Sequence, residues 1–400
     1  MKSIGIVCEY NPFHKGHEYH IAASRAALDK KAAVVCVMSG DFVQRGEAAV
    51  YSKHARAEAA CRCGADLVFE LPISWCLSSA EGFARGSVGL LSALGVDYLS
   101  FGSEAGELEP LNTVARLLTD SALTGEIKAL MAADGSLSFA RARQKAVQAR
   151  LGNTASILEE PNNILAVEYL KAIRELDLNI TPYTVPRSGS RHDKPGGEQP
   201  SAMELRSMLR RGGSIADFVP KAAAEVFRRE TEFGRYLTDT QLLDTALLSR
   251  LRMLRKEDFE TLPDSADGAG IRLYNAARTE PTIDGVLAAA KTKRFAMSRL
   301  RRMLLCACLG VKAGAGEGIP PYARVLAANK KGCEMLRELS DKSSVPIVTK
   351  PASVKTLEPR CAELFALSAQ AHDLFVLGYG AQQARIGGED WRKSPVIVEN

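Results

Sequence analysis

The sequence predicts an α/β fold, a doubly wound parallel sheet, followed by a mainly α-helical part. The first observation is a set of five short, nearly continuous apolar runs in the first 185 residues, each followed by helical periodicity. Such runs are typical of parallel strands covered by helices on both faces. The second is a change near residue 217, beyond which helical patterns dominate. The third is a globular composition, with 46% hydrophobic and 25% charged residues.

The five predicted strands cover residues 3–8, 33–38, 66–71, 97–101 and 180–185. Ligands of open α/β sheets bind beyond the carboxyl ends of the strands, so the chemistry is expected in the segments that follow them. We place a domain boundary after residue 215, which gives a catalytic domain at 1–215 and a helical domain at 216–400.

The first strand leads into Asn11-Pro12-Phe13-His14-Lys15-Gly16-His17, at the start of a predicted helix. A helix N-terminus offers unpaired N–H groups and a positive dipole end to a phosphate, and each imidazole can donate to an oxygen that gains charge. The alternative is that His17 is a helix-start histidine facing solvent. A metal site with His20 is not expected, because positions i, i+3 and i+6 turn away from one another on a helix.

The second strand is followed by a polar loop, residues 39–47, bracketed by glycines. Gln44, Arg45 and Glu47 are expected at the ligand edge of the sheet, although a solvated loop is equally consistent with the pattern. In the helix predicted at 52–63, Lys53 and Arg56 share one face, which would meet phosphate or water.

Three further segments lie at predicted strand or helix ends. Gly102 follows the fourth strand, where glycine allows a ligand or a helix to approach closely. Asn162 and Asn163 begin the helix opened by Pro161, as caps or as readers of a base or ribose. Ser201 and Glu204 have capping-box spacing, which leaves Arg206 as the unexplained cation of a second anion site.

The C-terminal half predicts helices at 242–254, 270–278, 283–309, 323–339 and 361–377, with a short strand near 345–348 and a tail ending in residues 395–398. Residues 291–302 carry six cations and no acid, beside an aromatic residue. This pattern suits an RNA backbone, with arginines and lysines on phosphates and the aromatic ring on a base, although such runs also form plain solvated faces. The residues are Lys291, Lys293, Arg294, Phe295, Arg299, Arg301 and Arg302.

Composition excludes other classes. No apolar run approaches the ~18 residues that cross a bilayer, so no membrane partner is expected and the predicted location is the cytoplasm. The nine cysteines contain no CxxC pair, so reduced, mostly buried thiols are expected rather than zinc ligands. The net charge of +5 permits nucleic acid as a partner without requiring it.

Four motifs together closely resemble one family. They are residues 5–17 with NPFHxGH, residues 40–47 with GDFVQRGE, residues 101–104 with FGSE, and residues 161–165 with PNNIL. The chain resembles the bacterial tRNA(Met) cytidine acetate ligases of the HIGH-type nucleotidyltransferase-like superfamily. The resemblance implies that ATP, accompanied by Mg²⁺, activates acetate as acetyl-adenylate with release of pyrophosphate. The acetyl group then passes to N4 of the wobble cytidine of elongator tRNA(Met), forming N4-acetylcytidine.

The resemblance also implies roles for individual residues. His14, His17 and Arg206 would act on the phosphates during catalysis. ATP would be held by Val7, Cys8, Glu9, Tyr10, Asn11, Pro12, Phe13, His14, Lys15, Gly16, His17, Glu18, Tyr19, His20, Gly102, Asn162, Asn163, Arg187 and Ser201. Acetate or tRNA would meet Gln44, Arg45, Glu47 and the six cations of residues 291–302.

Two positions depart from the family pattern, since Lys15 stands where asparagine is expected and Met203-Glu204 replaces smaller residues. Two other functions remain open: a small-molecule adenylyl- or cytidylyltransferase, and a non-catalytic RNA-binding protein with a nucleotide-binding fold. A class I aminoacyl-tRNA synthetase is disfavoured, because the sequence shows no KMSKS-like loop. The sequence makes no prediction of the oligomeric state.

Overall fold

A computed structural model describes residues 1–187, 200–237 and 241–399 of the chain. Its strands are β1 (Ser3–Cys8), β2 (Ala33–Ser39), β3 (Phe42–Val43), β4 (Glu47–Ala48), β5 (Leu67–Leu71), β6 (Tyr98–Ser103), β7 (Thr181–Pro186), β8 (Ala323–Asn329), β9 (Ile347–Val348) and β10 (Val396–Val398).

The α-helices are α1 (Lys15–Leu28), α2 (Lys53–Arg62), α3 (Ile73–Cys76), α4 (Ala80–Ala93), α5 (Leu108–Leu118), α6 (Ser121–Ala133), α7 (Phe139–Leu151), α8 (Pro161–Glu175), α9 (Ala202–Arg210), α10 (Lys221–Glu232), α11 (Gln241–Met253), α12 (Lys256–Glu260), α13 (Ala269–Thr279), α14 (Ile283–Ala290), α15 (Met297–Leu309), α16 (Lys330–Lys342) and α17 (Pro359–Val376).

The doubly wound parallel sheet is confirmed. The five predicted strands are β1, β2, β5, β6 and β7, and they pair in the order β5-β2-β1-β6-β7 with every neighbour parallel. The chain therefore changes direction across the sheet between β1 and β6, which is the switch point where doubly wound folds bind nucleotides. Gly102 lies within β6 rather than after it, paired with Val185 of β7.

The sheet has an apolar core on each face because successive strand residues point to opposite sides. Val35 and Val37 of β2 belong to the larger core, together with Leu67 and Phe69 of β5. The intervening residues of β2, among them Cys36, belong to the second core.

The helix predicted over residues 323–339 is wrong for its first half. Residues Ala323–Asn329 form β8, which pairs antiparallel with β5, and the helix α16 begins only at Lys330. An apolar run of this length fits a buried strand as well as a helix, and pairing with β5 decides between them. On its other edge β8 pairs with β9 and with β10, the strand of the predicted tail.

The helix predicted over residues 283–309 is interrupted. Helix α14 ends at Ala290 and α15 begins at Met297, so the first half of the basic segment is a connection between helices. The Lys291 Nζ closes this connection by donating to the carbonyl oxygens of Thr292 and Phe295, at 2.7 and 2.6 Å.

The predicted domain boundary after residue 215 stays a prediction. Helices α10–α15 do form a mainly helical region, as the sequence indicates. The chain then returns to the central sheet through β8, β9 and β10, so residues 216–400 contribute to both regions.

The cysteines agree with their prediction. All nine cysteines are free thiols, and eight of them are buried. Within the described parts of the chain, no helix is both long and apolar enough to span a bilayer.

Lys53 and Arg56 meet neither phosphate nor water, contrary to the sequence prediction. Helix α2 packs against β5, β8, β10 and α10, and both side chains are fully buried. Arg56 donates to the carbonyl oxygens of Glu9, Ser39, Gly40 and Tyr51, so it ties the carboxyl ends of β1 and β2 together.

Lys53 belongs to a buried ionic network that joins α2, β5, β8 and the C-terminal segment. Its ammonium group pairs with Glu70 at 2.7 Å and with Asp390. The Arg324 Nη1 of β8 lies 3.0 Å from Glu70 Oε2 and 2.8 Å from Asp390 Oδ2.

A second arm of this network reaches the polar loop after β2. His372 of α17 contacts Asp41 through Nδ1, at 2.9 Å, and Glu389 through Nε2, at 3.0 Å. The other oxygen of Asp41 accepts the backbone N–H of Lys53 at 2.8 Å. The network therefore fixes the root of the loop at residues 40–47.

Candidate active site

The two motif histidines stand at the beginning of α1. The Nδ1 of His14, the N-cap residue, accepts the N–H of Gly16 at 3.0 Å, and the Nδ1 of His17 accepts the N–H of His14 at 3.2 Å. The two ring centroids are 3.8 Å apart. Because both Nδ1 atoms act as acceptors, each neutral ring carries its proton on Nε2 and presents an N–H donor.

Both histidines are neutral at physiological pH. Burial lowers the pKa of His14 to about 4, with a further contribution from the positive charge of Arg187. Burial also holds the pKa of His17 well below its ordinary value, assisted by His14, Arg187 and His20. The pair therefore presents two fixed hydrogen-bond donors rather than two cations, an arrangement suited to an oxygen anion.

The segment 7–20, predicted to hold ATP, divides into buried and accessible residues. Tyr10 and Phe13 are buried and pack edge to face, and the Tyr10 ring lies 4.9 Å from that of His17, so they support the histidines from below. Cys8, Asn11 and Pro12 are also buried, Val7, Glu9, Gly16 and His20 are half-buried, and Lys15, Glu18 and Tyr19 are exposed. The Nε2 of His20 contacts the Ser100 hydroxyl at 3.0 Å, away from the pair.

Arg206 reaches the loop between β1 and α1 from helix α9. Its Nη1 donates to the carbonyl oxygen of Asn11 at 2.9 Å. Ser201 and Glu204 form the predicted capping box, with the Ser201 N–H donating to the Glu204 carboxylate at 2.7 Å and the Glu204 N–H donating to the Ser201 hydroxyl at 3.3 Å. The side chain of Ser201 is thus engaged in the cap, and Arg206 is the residue of this helix that faces the site.

Glu47 links Arg206 to the basic segment. One carboxylate oxygen lies 2.5 Å from the Arg301 Nη1, and the other lies 3.9 Å from the Arg206 Nη2. Gln44 is held by its backbone N–H, which donates to Glu9 at 2.8 Å, and by its side chain, which donates to the Ser78 carbonyl at 3.2 Å. Arg45 is exposed.

The 44–47 loop packs directly on α15. Gly46 has a φ of +74°, and a Cβ atom there would lie 2.6 Å from the backbone nitrogen of Arg302. Helix α15 thus forms a wall beside the candidate site, and only glycine allows this approach.

We therefore expect Gly46→Ala to displace the loop and to lower both stability and catalysis. A matched control is Gly268→Ala, because Gly268 has a φ of +80° but open space around its Cβ position. Both variants carry a backbone strain of about 1–2 kcal/mol, so a larger drop in unfolding free energy for Gly46→Ala measures the contact with α15. Equal drops would show that the contact is unimportant.

The residues predicted around Gly102 come together at the carboxyl ends of β6 and β7. The Asn162 amide donates to the Glu104 carboxylate at 2.5 Å, and the Arg187 Nη1 donates to Asn162 Oδ1 at 3.4 Å. Gly102 lies beneath Arg187, whose Cγ would be 3.2 Å from an added Cβ.

Asn163 does not fit its predicted role. It is 4% exposed, and its Oδ1 accepts the N–H of Ala105 at 2.9 Å. Its own N–H donates to Glu104 at 2.9 Å, which caps helix α8. The side chain of Asn163 is therefore engaged in holding the segment after β6, and Asn162 remains the candidate for a ligand contact.

The residues of the basic segment, 291–302, differ in their exposure and in their partners. Phe295 is buried, so the prediction that its ring stacks on a base is wrong. The Arg299 guanidinium lies 5.0 Å from that ring and donates to the Asp264 carbonyl. Arg302 is also buried and pairs with Asp264 at 3.3 Å.

The exposed cations of this segment are Lys291, Lys293 and Arg294. Lys293 and Arg294 line a groove together with Arg272 of α13 and the turn between α6 and α7, at Gly135 and Ser136.

Two contacts of the site were missed by the sequence analysis. Glu104 caps α8 across the sheet edge, and Glu47 pairs with Arg301 more than 250 positions away. Both contacts join segments that are distant in sequence. The contact of Glu104 could have been suggested by one local feature, namely an acidic residue shortly after the fourth predicted strand, combined with a helix that begins with two asparagines.

Comparisons with known proteins place the chain among characterised relatives. A family model described as HIGH nucleotidyl transferase matches residues 1–390. The tRNA(Met) cytidine acetate ligase of Acetivibrio thermocellus is 33% identical over 416 residues, covering 100% of both chains.

Two solved structures of Thermotoga maritima TmcAL are similar over 100% of both chains. The apo form I has a TM-score of 0.93 at 31% identity, and the form bound with alpha-thio ATP has a TM-score of 0.90 at 32% identity.

Proposed function

We propose an activity from one premise: the chain belongs to the tRNA(Met) cytidine acetate ligase family, within the HIGH nucleotidyl transferases. It is an ATP-dependent ligase that activates acetate as acetyl-adenylate and transfers the acetyl group to the wobble cytidine of elongator tRNA(Met). The product is N4-acetylcytidine. A tRNA substrate is consistent with the predicted cytoplasmic location.

The observation that carries the first step is the histidine pair. Acetate attacks the α-phosphorus of ATP, the bond to the bridging oxygen breaks, and pyrophosphate leaves with the electron pair. Two Nε2–H donors at the N-terminus of α1 stabilise the charge that develops on the phosphate oxygens. Arg206 and Arg187 supply positive charge on either side, and Asn162 lies beside Arg187 for a contact with the nucleotide.

We propose that Mg²⁺ binds together with ATP. Among the residues that the structure describes, no three histidine, cysteine, aspartate or glutamate side chains are grouped to hold a metal ion. The Glu47 carboxylate already faces Arg206 and Arg301. Phosphate oxygens and water would thus provide the magnesium ligands, and the ion would neutralise phosphate charge.

The test of the function is exchange of labelled pyrophosphate into ATP. We expect exchange that requires acetate, and formation of N4-acetylcytidine in tRNA(Met), measured by nucleoside mass spectrometry. Exchange without acetate would favour a small-molecule nucleotidyltransferase. A complete lack of exchange would leave an RNA-binding protein with a nucleotide-binding fold.

For the RNA we propose the groove formed by Lys293, Arg294 and Arg272. Arg301 faces the active-site loop, and Arg299 and Arg302 are engaged with the 264–266 segment. Arg294 also pairs with Asp267 of the groove, at 3.7 Å, but Lys293 and Arg294 are exposed whereas Arg302 is buried and Arg299 and Arg301 are half-buried, so we assign these three to the site rather than to the RNA. Arg141 and Lys145 of α7 follow the groove-lining turn in sequence and are exposed cations as well.

We expect Lys293→Glu combined with Arg294→Glu to weaken tRNA binding by about tenfold or more. The slope of the logarithm of the binding constant against the logarithm of the salt concentration should become shallower by an amount that corresponds to roughly one to two phosphate contacts. Acetate-dependent exchange should be unchanged. The matched control is Lys221→Glu combined with Arg228→Glu, an equal charge change on the exposed face of α10. Equal weakening by both pairs would refute the groove as the RNA site.

A further inference from the structure

The second step of the reaction needs a proton acceptor. The cytidine N4 amine becomes an amide, so it must lose a proton as it attacks the acetyl carbon. A general base must lie within hydrogen-bond reach of the amine and must have an available lone pair. In the proposed function, acetyl-adenylate forms at the carboxyl edge of β1 and β2, so the general base is expected at this edge.

The histidines do not meet this requirement. Both Nδ1 lone pairs already accept backbone N–H groups, at 3.0 and 3.2 Å. The Nε2 atoms carry the protons that stabilise phosphate charge. Neither ring therefore has a nitrogen that can receive a proton while the other interactions of the site are kept.

Two carboxylates remain near Arg206, and they differ in their partners. Glu47 places one oxygen on Arg301 and the other near Arg206. Glu9, the first residue after β1, places only Oε1 in a contact, with the Gln44 N–H at 2.8 Å. Among the described residues, Glu9 Oε2 has no hydrogen-bond partner, and the side chain is only half-buried. Glu9 therefore offers a fixed carboxylate with one oxygen available to a substrate.

The environment of Glu9 also favours basicity. Burial raises the pKa of Glu9 above its ordinary value, against the opposing effects of the Gln44 N–H and the guanidinium groups of Arg206, Arg56 and Arg45. A carboxylate is moreover a natural partner for cytosine N4, which is a hydrogen-bond donor that glutamate accepts in base recognition.

We propose that Glu9 binds the N4 amine of the wobble cytidine and accepts its proton during acetyl transfer. The N4 lone pair forms a bond to the acetyl carbonyl carbon, and the bond from that carbon to the phosphate oxygen breaks. AMP leaves with that electron pair, and the N4 proton passes to Glu9 Oε2. This inference rests on the proposed function, because it assigns a role in the second half of the same reaction.

The proposal is tested with Glu9→Gln, which keeps an oxygen for the Gln44 N–H but removes the base. Acetate-dependent exchange and trapping of acetyl-adenylate by hydroxylamine, which reacts without a base, measure any effect of the substitution on the first step. We expect the loss of transfer to exceed any loss in these two measurements by at least about tenfold. Single-turnover acetylation of bound tRNA(Met) should fall by about 10²–10⁴-fold. Glu109→Gln, an exposed carboxamide change on α5, is the matched control and should leave both steps intact.

A pH profile separates a base from a structural role. In the wild type the transfer rate should rise with pH as Glu9 loses its proton, and this rise should be absent in Glu9→Gln. Unchanged transfer by the variant would overturn the inference, as would equal loss of exchange and transfer in a variant with wild-type thermal unfolding. Lack of acetate-dependent exchange in the wild type would instead contradict the proposed function, so the two failures are distinguishable.

Discussion

Replacement of either motif histidine by alanine should reduce acetate-dependent exchange by about 10²–10³-fold. The reason is that each variant removes one preorganised N–H donor from the anion that forms at the α-phosphate, and such donors contribute this much where water is excluded. The stacked rings and their backbone contacts act as a unit, so His14→Ala with His17→Ala should lose little more than either single variant. Initial rates of exchange at saturating ATP measure the effect.

Two readouts control this prediction. Binding of tRNA(Met) should stay within about twofold, because the groove at Lys293 and Arg294 does not include the histidines. Titration of His14 and His17 should also leave the wild-type exchange rate unchanged between pH 6 and 8, because both rings are already neutral in this range. Retention of exchange above a tenth of wild type in either variant would show that the pair is not the catalytic feature.

The sheet and its ligand edge were largely predictable from sequence. Parallel strands buried on both faces leave continuous apolar runs, and those at β1, β2, β5, β6 and β7 lie within a few residues of their predicted bounds. The position of the histidines follows from the same pattern, because a strand end and a helix start leave few conformations for the residues between them.

Tertiary pairing explains what the sequence did not reveal. The run that forms β8 contains good helix formers, and only the antiparallel contact with β5 makes it a strand. Phe295 was expected to be accessible because cations surround it in sequence, but the helix start folds Arg299 over the ring. Glu47 was expected at the ligand edge, and its partner Arg301 could not be identified without the fold.

The fully buried cations of the core were also misjudged from sequence. Lys53 looked like a surface residue, yet burial, which by itself lowers its pKa, is outweighed by Asp390 and Glu70, so that the pKa is raised. Lysine and arginine in an apolar environment require polar partners, and the carboxylates around Lys53 come from three segments that are distant in sequence, at Asp41, Glu70 and Asp390. The sequence pattern around Lys53 therefore could not indicate these partners.

The buried network should make Arg324→Met strongly destabilising. Removal of the guanidinium leaves Glu70 and Asp390 in the core with Lys53 as their shared cation, and breaking a buried pair in this way costs about 3–5 kcal/mol. Arg228→Met, on an exposed pair with Glu232, should change stability by less than about 1 kcal/mol. Urea unfolding of both variants measures the difference, and a cost for Arg324→Met no greater than that of the control would show that the network is not essential to the fold.

The same network should make stability fall in alkaline solution. Burial alone would lower the pKa of His372, but Asp41 and Glu389 outweigh it and raise the pKa to about 10. The folded chain therefore keeps a proton that the unfolded chain releases above about pH 6.5. The stabilisation is complete below about pH 6.5 and is lost as the pH rises towards 10, by about 5 kcal/mol. His372→Gln should abolish this dependence in urea unfolding between pH 6.5 and 10, whereas a slope equal to that of wild type would locate the proton elsewhere. Because the folded chain keeps this proton, the contact of His372 with Asp41 at the root of the 40–47 loop should persist, and exchange activity should decline only as the pH approaches 10.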